Sequence, residues 1–131
     1  MPAASVATMD TDRTTYAPLA LIEYGDSGSY GLLLTDNAMV ALSDEFEARG
    51  RWSNGYGWEF VARSAVDAYA PEIAERLSYD CEAGMFVARS GDLEALRLLA
   101  VLVSTTFHDR VRLGELLGSR SPAETKEVGS A

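Results

Sequence analysis

The chain has 131 residues, of which 47% are hydrophobic and 24% are charged, a composition typical of one soluble globular domain with its own core. Twenty acidic residues against eleven basic ones give a formal charge of −9 at pH 7. Because this charge repels phosphate groups, it argues against direct binding of nucleic acid; it fits either plain solubility or a protein partner that is itself basic.

Features that would indicate secretion or membrane insertion are missing from the sequence. Cys81 is the single cysteine, so no intramolecular disulfide can form. The first ten residues contain neither a basic segment nor a continuous apolar one, so no signal peptide is visible. The longest apolar run, Leu98 to Val103, is far shorter than the roughly 20 residues of a membrane-spanning helix. We therefore expect a cytoplasmic protein.

The two ends of the chain differ in character from its middle. Residues 1–15 are rich in Ala, Thr and Asp without any periodicity, which predicts a disordered lead-in. Residues 118–131 combine Gly, Ser, Pro and mixed charges, which predicts a flexible tail. A single α+β domain is expected between them, over residues 16–117.

The first elements of this domain form a predicted β-hairpin. Leu19 to Tyr24 is a strand, Gly25 to Gly28 are turn-forming residues, and Tyr30 to Leu34 is the returning strand. Because both strands are continuously apolar, we expect both faces of the hairpin to be at least partly covered. Residues 38–42 fit either a third strand or the entry to a helix.

Helices are predicted on both sides of a loop that is rich in aromatic residues and glycine. Ser43 is a suitable N-cap for a short helix over residues 44–49, and Gly50 is suitable for its exit. After the loop, apolar residues recur at helical spacing until Pro71, which ends or bends the helix.

A second hairpin and two further helices complete the domain. Residues 77–79 and 85–88 flank a short connection that ends at Gly84. Asp92 caps a long helix over residues 92–107 that is apolar nearly all round, and a last helix covers residues 109–117. The expected architecture is therefore two β-hairpins, each followed by helices, with a small antiparallel sheet packed against a helical layer.

The residues offer no recognisable catalytic or metal-binding set. His108 is the only histidine, and Cys81 adjoins an acidic residue that would raise the pKa of its thiol. One His and one Cys cannot build a zinc site, and no Gly-rich phosphate loop is present. We therefore predict neither catalysis nor a cofactor. An enzyme or small-molecule binder would need a pocket with convergent polar groups, and the sequence shows no such set of groups.

The segment Asn54-Gly55-Tyr56-Gly57-Trp58 is the most informative part of the chain, because Trp52, Tyr56 and Trp58 place three aromatic residues within seven positions. These aromatic residues fit either core packing at the start of a long helix or a protein-binding patch, since Trp and Tyr dominate binding hot spots. Both interpretations hold if Trp58 points inward while Trp52 or Tyr56 points outward.

Three short motifs in the second half of the chain resemble the Immunity protein 51 family of bacterial polymorphic toxin systems. These motifs are Asn54 to Trp58, Tyr69-Ala70-Pro71-Glu72-Ile73, and Asp80 to Phe86. Their order and spacing agree with the family over about residues 50–117, whereas the first hairpin is similar only in outline. Gly57 is a departure, because the family pattern often has Asp there.

The resemblance implies a non-catalytic protein that neutralises a cognate toxin by binding it, and the mechanism we expect is occlusion of the toxin's active or substrate-binding surface. Its expected binding surface combines the acidic residues Asp44, Glu45 and Glu47 with an aromatic anchor at Trp52 or Tyr56. An alternative is a regulatory or structural homodimer that assembles through the apolar helix 92–107, and an immunity protein can also dimerise.

Overall fold

The computed structural model describes residues 9–12, 14–24 and 28–118. Five strands lie in these residues: β1 (Met9–Asp12), β2 (Ala20–Tyr24), β3 (Tyr30–Thr35), β4 (Ser78–Tyr79) and β5 (Met85–Ser90). They also contain one 3₁₀ helix, Pro71–Arg76, and five α-helices: α1 (Asp36–Val40), α2 (Ser43–Glu47), α3 (Gly55–Tyr69), α4 (Leu93–Phe107) and α5 (Arg110–Leu117).

The five strands form one antiparallel sheet in the order β1-β2-β3-β5-β4. Both predicted hairpins, β2–β3 and β4–β5, are confirmed, and they join each other through β3 and β5. Residues 25–27 of the first predicted turn lie outside the described residues. The α+β class predicted from the sequence is confirmed.

The helices cover one face of this sheet. Directly opposed residues of antiparallel strands point to the same side, so Leu32 shares its face with Leu21 and Ala88. Helices α1, α3 and α4 pack against β3 and β5, and this inner face is buried. On the opposite face Ile22 is also buried and Leu33 is half-buried. Both faces of the first hairpin are therefore at least partly covered, as predicted from its continuous apolar residues.

Residues 51–54 form the loop before α3, which we call the aromatic loop. The segment between the first hairpin and this loop contains two short helices. Residues 38–42, which fitted a strand or a helix entry, belong largely to α1. The prediction that Ser43 is an N-cap is wrong, because Ser43 is the first residue of α2 and the preceding Leu42 is buried without a side-chain cap. Gly50 ends this segment with φ +71°, as expected of a helix exit.

Strand β1 was missed by sequence analysis, which placed residues 9–12 in the lead-in. All four residues of β1 pair with β2, from Met9 opposite Tyr24 to Asp12 opposite Leu21. The lead-in was predicted over residues 1–15 and the tail over residues 118–131; of these, residues 1–8, 13 and 119–131 lie outside the described residues. No helix in the described part of the chain is both long and apolar enough to cross a membrane.

Candidate functional site

The start of α3 is built by a polar cap and a glycine that packs against the second hairpin. The Asn54 side chain accepts a hydrogen bond from the Gly57 amide at 2.8 Å, which satisfies a free donor of the first helical turn. The Gly55 amide donates to the Ala83 carbonyl at 3.0 Å. A Cβ atom at position 55 would overlap the carbonyl oxygens of Glu82 and Met85, so this close approach requires glycine.

A second close approach fixes the loop before α3. The carbonyl oxygen of Trp52 lies where a Cβ atom would be at Gly57, and the Phe46 ring lies 3.2 Å from the same point. The backbone of the aromatic loop therefore rests directly on the first turn of α3.

The indole of Trp58 anchors the same region to the core. Trp58 is fully buried, with its ring centroid 5.2 Å from that of Phe46 and 5.7 Å from that of Phe107. Its Nε1 donates to Ser53 Oγ at 3.2 Å, and Ser53 Oγ in turn donates to the Met39 carbonyl oxygen. This chain of hydrogen bonds holds the aromatic loop against the end of α1.

Three apolar side chains lie exposed around these contacts, and we call them the aromatic patch: Val40, Trp52 and Tyr56. Their exposed fractions are 58%, 79% and 58%. Val40 and Trp52 are next in sequence to the bonded residues Met39 and Ser53, and Tyr56 lies between the two packed glycines. Trp58 points inward and both Trp52 and Tyr56 point outward, which agrees with the interpretation in which Trp58 packs in the core and Trp52 or Tyr56 is exposed.

Two of the three predicted acidic residues are held by arginines of the same chain. Arg110 Nη1 donates to Asp44 Oδ2 at 3.0 Å and to Glu45 Oε2 at 3.1 Å, which joins α5 to α2. Arg49 Nη1 donates to Glu45 Oε1 at 3.1 Å. Hydrogen bonding to Arg110 lowers the pKa of the exposed Asp44 carboxyl below its ordinary value.

The acidic residues of α2 consequently do not form one uncompensated acidic face. Glu47 is exposed and makes no ion pair within the described residues, but the charges of Asp44 and Glu45 are largely balanced by Arg110 and Arg49. Sequence analysis could not detect this, because Arg110 lies 66 residues from Asp44 along the chain.

Two other acidic residues adjoin the aromatic patch and were missed. Asp36 precedes Val40 by four residues on α1, so the two exposed side chains share one helix face. The exposed Glu82 belongs to the turn that packs on Gly55, next to Tyr56. Neither carboxylate has an ion pair in the described part of the chain, so both add negative charge beside the patch, while Arg51, next to Trp52 in sequence, adds a positive one.

The groups that could support catalysis are held in structural contacts. A ring nitrogen of His108, Nε2, lies 2.9 Å from the Ala17 carbonyl oxygen, at the end of α4. Cys81 Sγ contacts both the amide and the carbonyl of Val87, and burial raises its pKa to about 11. Among the described residues, no group of three or more His, Cys, Asp or Glu could hold a metal ion.

Comparison with protein families decides the family of this chain. Residues 19–122 match the family described as Immunity protein 51. The chain belongs to the Immunity protein 51 family. Comparison with curated proteins and with solved structures gives no match.

Membership assigns the chain a general role as an immunity protein, and immunity proteins bind cognate toxins and are generally non-catalytic. The matched Immunity protein 51 segment includes β2 to β5 and every described helix, and therefore the whole aromatic patch with Asp36 and Glu82. Strand β1 lies before it.

Proposed function

We propose that this immunity protein neutralises its cognate toxin by binding over the toxin's active or substrate-binding surface, with the aromatic patch at the centre of the contact. The observation that carries the proposal is the exposure of Trp52 and Tyr56 on a backbone fixed by Gly55, Gly57 and Ser53. Contiguous exposed apolar surface marks sites of association, and Trp and Tyr are among the residue types most enriched at binding hot spots.

The rigid backbone under Trp52 strengthens this argument. An anchor that is already positioned loses less conformational entropy on binding than one presented by a flexible loop. Trp52 is positioned by its carbonyl packing on Gly57 and by the neighbouring Ser53–Met39 hydrogen bond, while its indole stays in solvent. We therefore assign Trp52 and Tyr56 the largest part of the binding free energy.

Carboxylates around the patch fit a basic toxin surface. Asp36, Glu47 and Glu82 have no ion pair within the described residues, so each can attract a cation of the toxin. Asp44 and Glu45 must share their charges with Arg110, and their expected contribution is smaller. If the toxin is a nuclease, these carboxylates would take the place of substrate phosphates. Such charges chiefly raise the association rate, in a salt-dependent way.

The proposal also places neutralisation in the cytoplasm. The only cysteine of the chain, Cys81, is a free thiol, as expected for a protein of a reducing compartment.

Binding of the protein encoded by the adjacent reading frame tests the role of the patch. Calorimetric titration would compare the wild type with Trp52→Ala and Tyr56→Ala, each expected to weaken binding at least roughly 30-fold, equivalent to a hot spot of about 2 kcal/mol. Tyr69→Ala is the matched control, because Tyr69 is another exposed aromatic residue of the same helix but lies at its opposite end. Binding that is equally strong in all three variants would exclude the aromatic patch as the anchor.

A further inference from the structure

A second exposed apolar site lies on α4. Leu98 and Val101 are three residues apart, so they project from neighbouring positions of one helix face, with exposed fractions of 36% and 46%. The other apolar residues around them, including Leu96, Leu99 and Leu102, are buried in the core. The sequence of α4 is apolar nearly all round, and the helix is buried against several elements, but this one face of it is open.

The open face borders a groove of about 560 Å³ between α4 and the 3₁₀ helix Pro71–Arg76. Four charged residues surround it, two acidic and two basic: Glu72, Glu94, Arg76 and Arg97. The rim is therefore balanced in charge, although the whole chain carries a formal charge of −9.

This balance distinguishes the groove from the aromatic patch. In a symmetric dimer the same surface of both copies meets itself, so a surface of one charge sign faces its own sign. The aromatic patch, with Asp36 and Glu82 at its rim, would place carboxylates against carboxylates. The groove can instead place the arginines of one copy against the glutamates of the other, with Leu98 and Val101 at the centre.

Three of the four rim charges form ion pairs within the chain, which a dimer would have to exchange for pairs with the second copy. Arg97 pairs with Glu94 at 3.1 Å, and Arg76 pairs with the neighbouring Asp92 at 3.2 Å. Both ion pairs are on the surface, where a pair contributes little to stability and is readily replaced by an equivalent pair with another molecule.

We propose that this face of α4 binds a second copy of the chain, forming a symmetric homodimer that leaves the aromatic patch free for the toxin. The proposal is independent of toxin binding, because it assigns a different partner to a different surface. Leu98 and Val101 form the centre of the proposed interface, and the positive charge of Arg97 pairs with a glutamate of the second copy.

Sedimentation velocity of the full chain, from micromolar to sub-millimolar concentrations, tests the proposal. The wild type is expected to shift reversibly from monomer to dimer as concentration rises, and Val101→Glu to remain monomeric throughout. Val111→Glu is the matched control, since it adds the same charge at an exposed valine of α5, and it should dimerise like the wild type. A wild type that stays monomeric, or a dimer that survives Val101→Glu, would overturn the proposal.

Charge reversal tests the pairing itself without relying on an apolar substitution. Arg97→Glu and the double variant Glu72→Arg/Glu94→Arg should each lose self-association, because like charges then meet across the twofold axis. An equimolar mixture of the two should recover a heterodimer. Circular dichroism confirms that each variant is folded, and folded variants that do not pair in the mixture would contradict the proposed arrangement.

Discussion

The carbonyl oxygen of Trp52 lies against Gly57, in the space that a Cβ atom would occupy at that position. A side chain at this position, such as the Asp expected from the resemblance to the family, would have no room here unless the aromatic loop moved. Gly57 and the placement of Trp52 are therefore linked in this chain: the missing side chain allows the loop to rest on α3 and to present the indole to solvent.

Substitution of Gly57 by Ala is expected to displace the loop and to destabilise the fold by about 1–3 kcal/mol, the usual range for an overpacked site. Urea denaturation measures the loss, and toxin affinity should fall as well because Trp52 moves. Gly84→Ala is the control, since a Cβ atom there meets nothing within 4 Å. A Gly57→Ala protein as stable as Gly84→Ala would mean that the loop shifts without cost.

Removal of the Ser53 hydroxyl should also destabilise the site. Ser53→Ala leaves Trp58 Nε1 without its acceptor, and an unsatisfied buried group costs about 1–3 kcal/mol, whereas the Met39 carbonyl keeps the Leu42 amide as a donor at 3.2 Å. Ser104→Ala serves as comparison, because the Ser104 hydroxyl bonds only a carbonyl of its own helix, at 3.3 Å. Equal denaturation midpoints for the two variants would show that the Trp58–Ser53–Met39 chain contributes nothing to stability.

Arg110 should determine the titration of Asp44. Its hydrogen bond lowers the pKa of the Asp44 carboxyl below 3.8 in the folded protein. A lowered pKa means that the pair stabilises the fold above the unfolded-state pKa and that this stabilisation is lost as the pH falls through the folded-state value.

Two measurements follow from this ion pair. In a carboxyl NMR titration, Arg110→Gln is expected to raise the pKa of Asp44 towards 3.8. The small difference in Tm between wild type and Arg110→Gln should be present at neutral pH and vanish in acid, once Asp44 is protonated. An Asp44 pKa that is unchanged by Arg110→Gln would contradict the pairing of α2 with α5.

The thiol of Cys81 should be unreactive in the folded protein. Burial raises its pKa to about 11 from 9.0, so near pH 8 its thiolate fraction, and with it the alkylation rate, is expected to be about 100-fold lower than for an unperturbed thiol. Iodoacetamide labelling followed by mass spectrometry measures the rate, with the urea-unfolded chain as reference. Comparable rates in both states would show that Cys81 is accessible and ionisable in the fold.

Local signals predicted much of this structure. Asp92 does cap α4 through the amides of Glu94 and Ala95, and Asn54 with its glycines marks the start of α3. The outward position of Trp52 was one of the stated alternatives, because a glycine-containing loop can either pack its aromatic side chains into the core or expose them to solvent.

What escaped prediction depends on contacts that are distant in sequence. Strand β1 carries Thr and Asp without an apolar pattern, and it is defined only by its pairing with β2. Val40 could not be assigned to the surface, because the sequence allowed either a strand or a helix entry over residues 38–42. Arg110 of α5 balances the charge of Asp44 of α2, and no local sequence pattern predicts that these two helices contact each other.

Co-expression with the protein encoded by the adjacent reading frame tests the central claim most directly. The claim predicts that the wild-type chain restores growth and co-purifies with that protein. Trp52→Ala/Tyr56→Ala is predicted to be folded and expressed but to lose both effects, while Tyr69→Ala retains them. Full protection by the double variant would contradict the aromatic patch as the neutralising surface. Failure of the wild type to bind or protect would contradict toxin neutralisation itself for this pair of proteins.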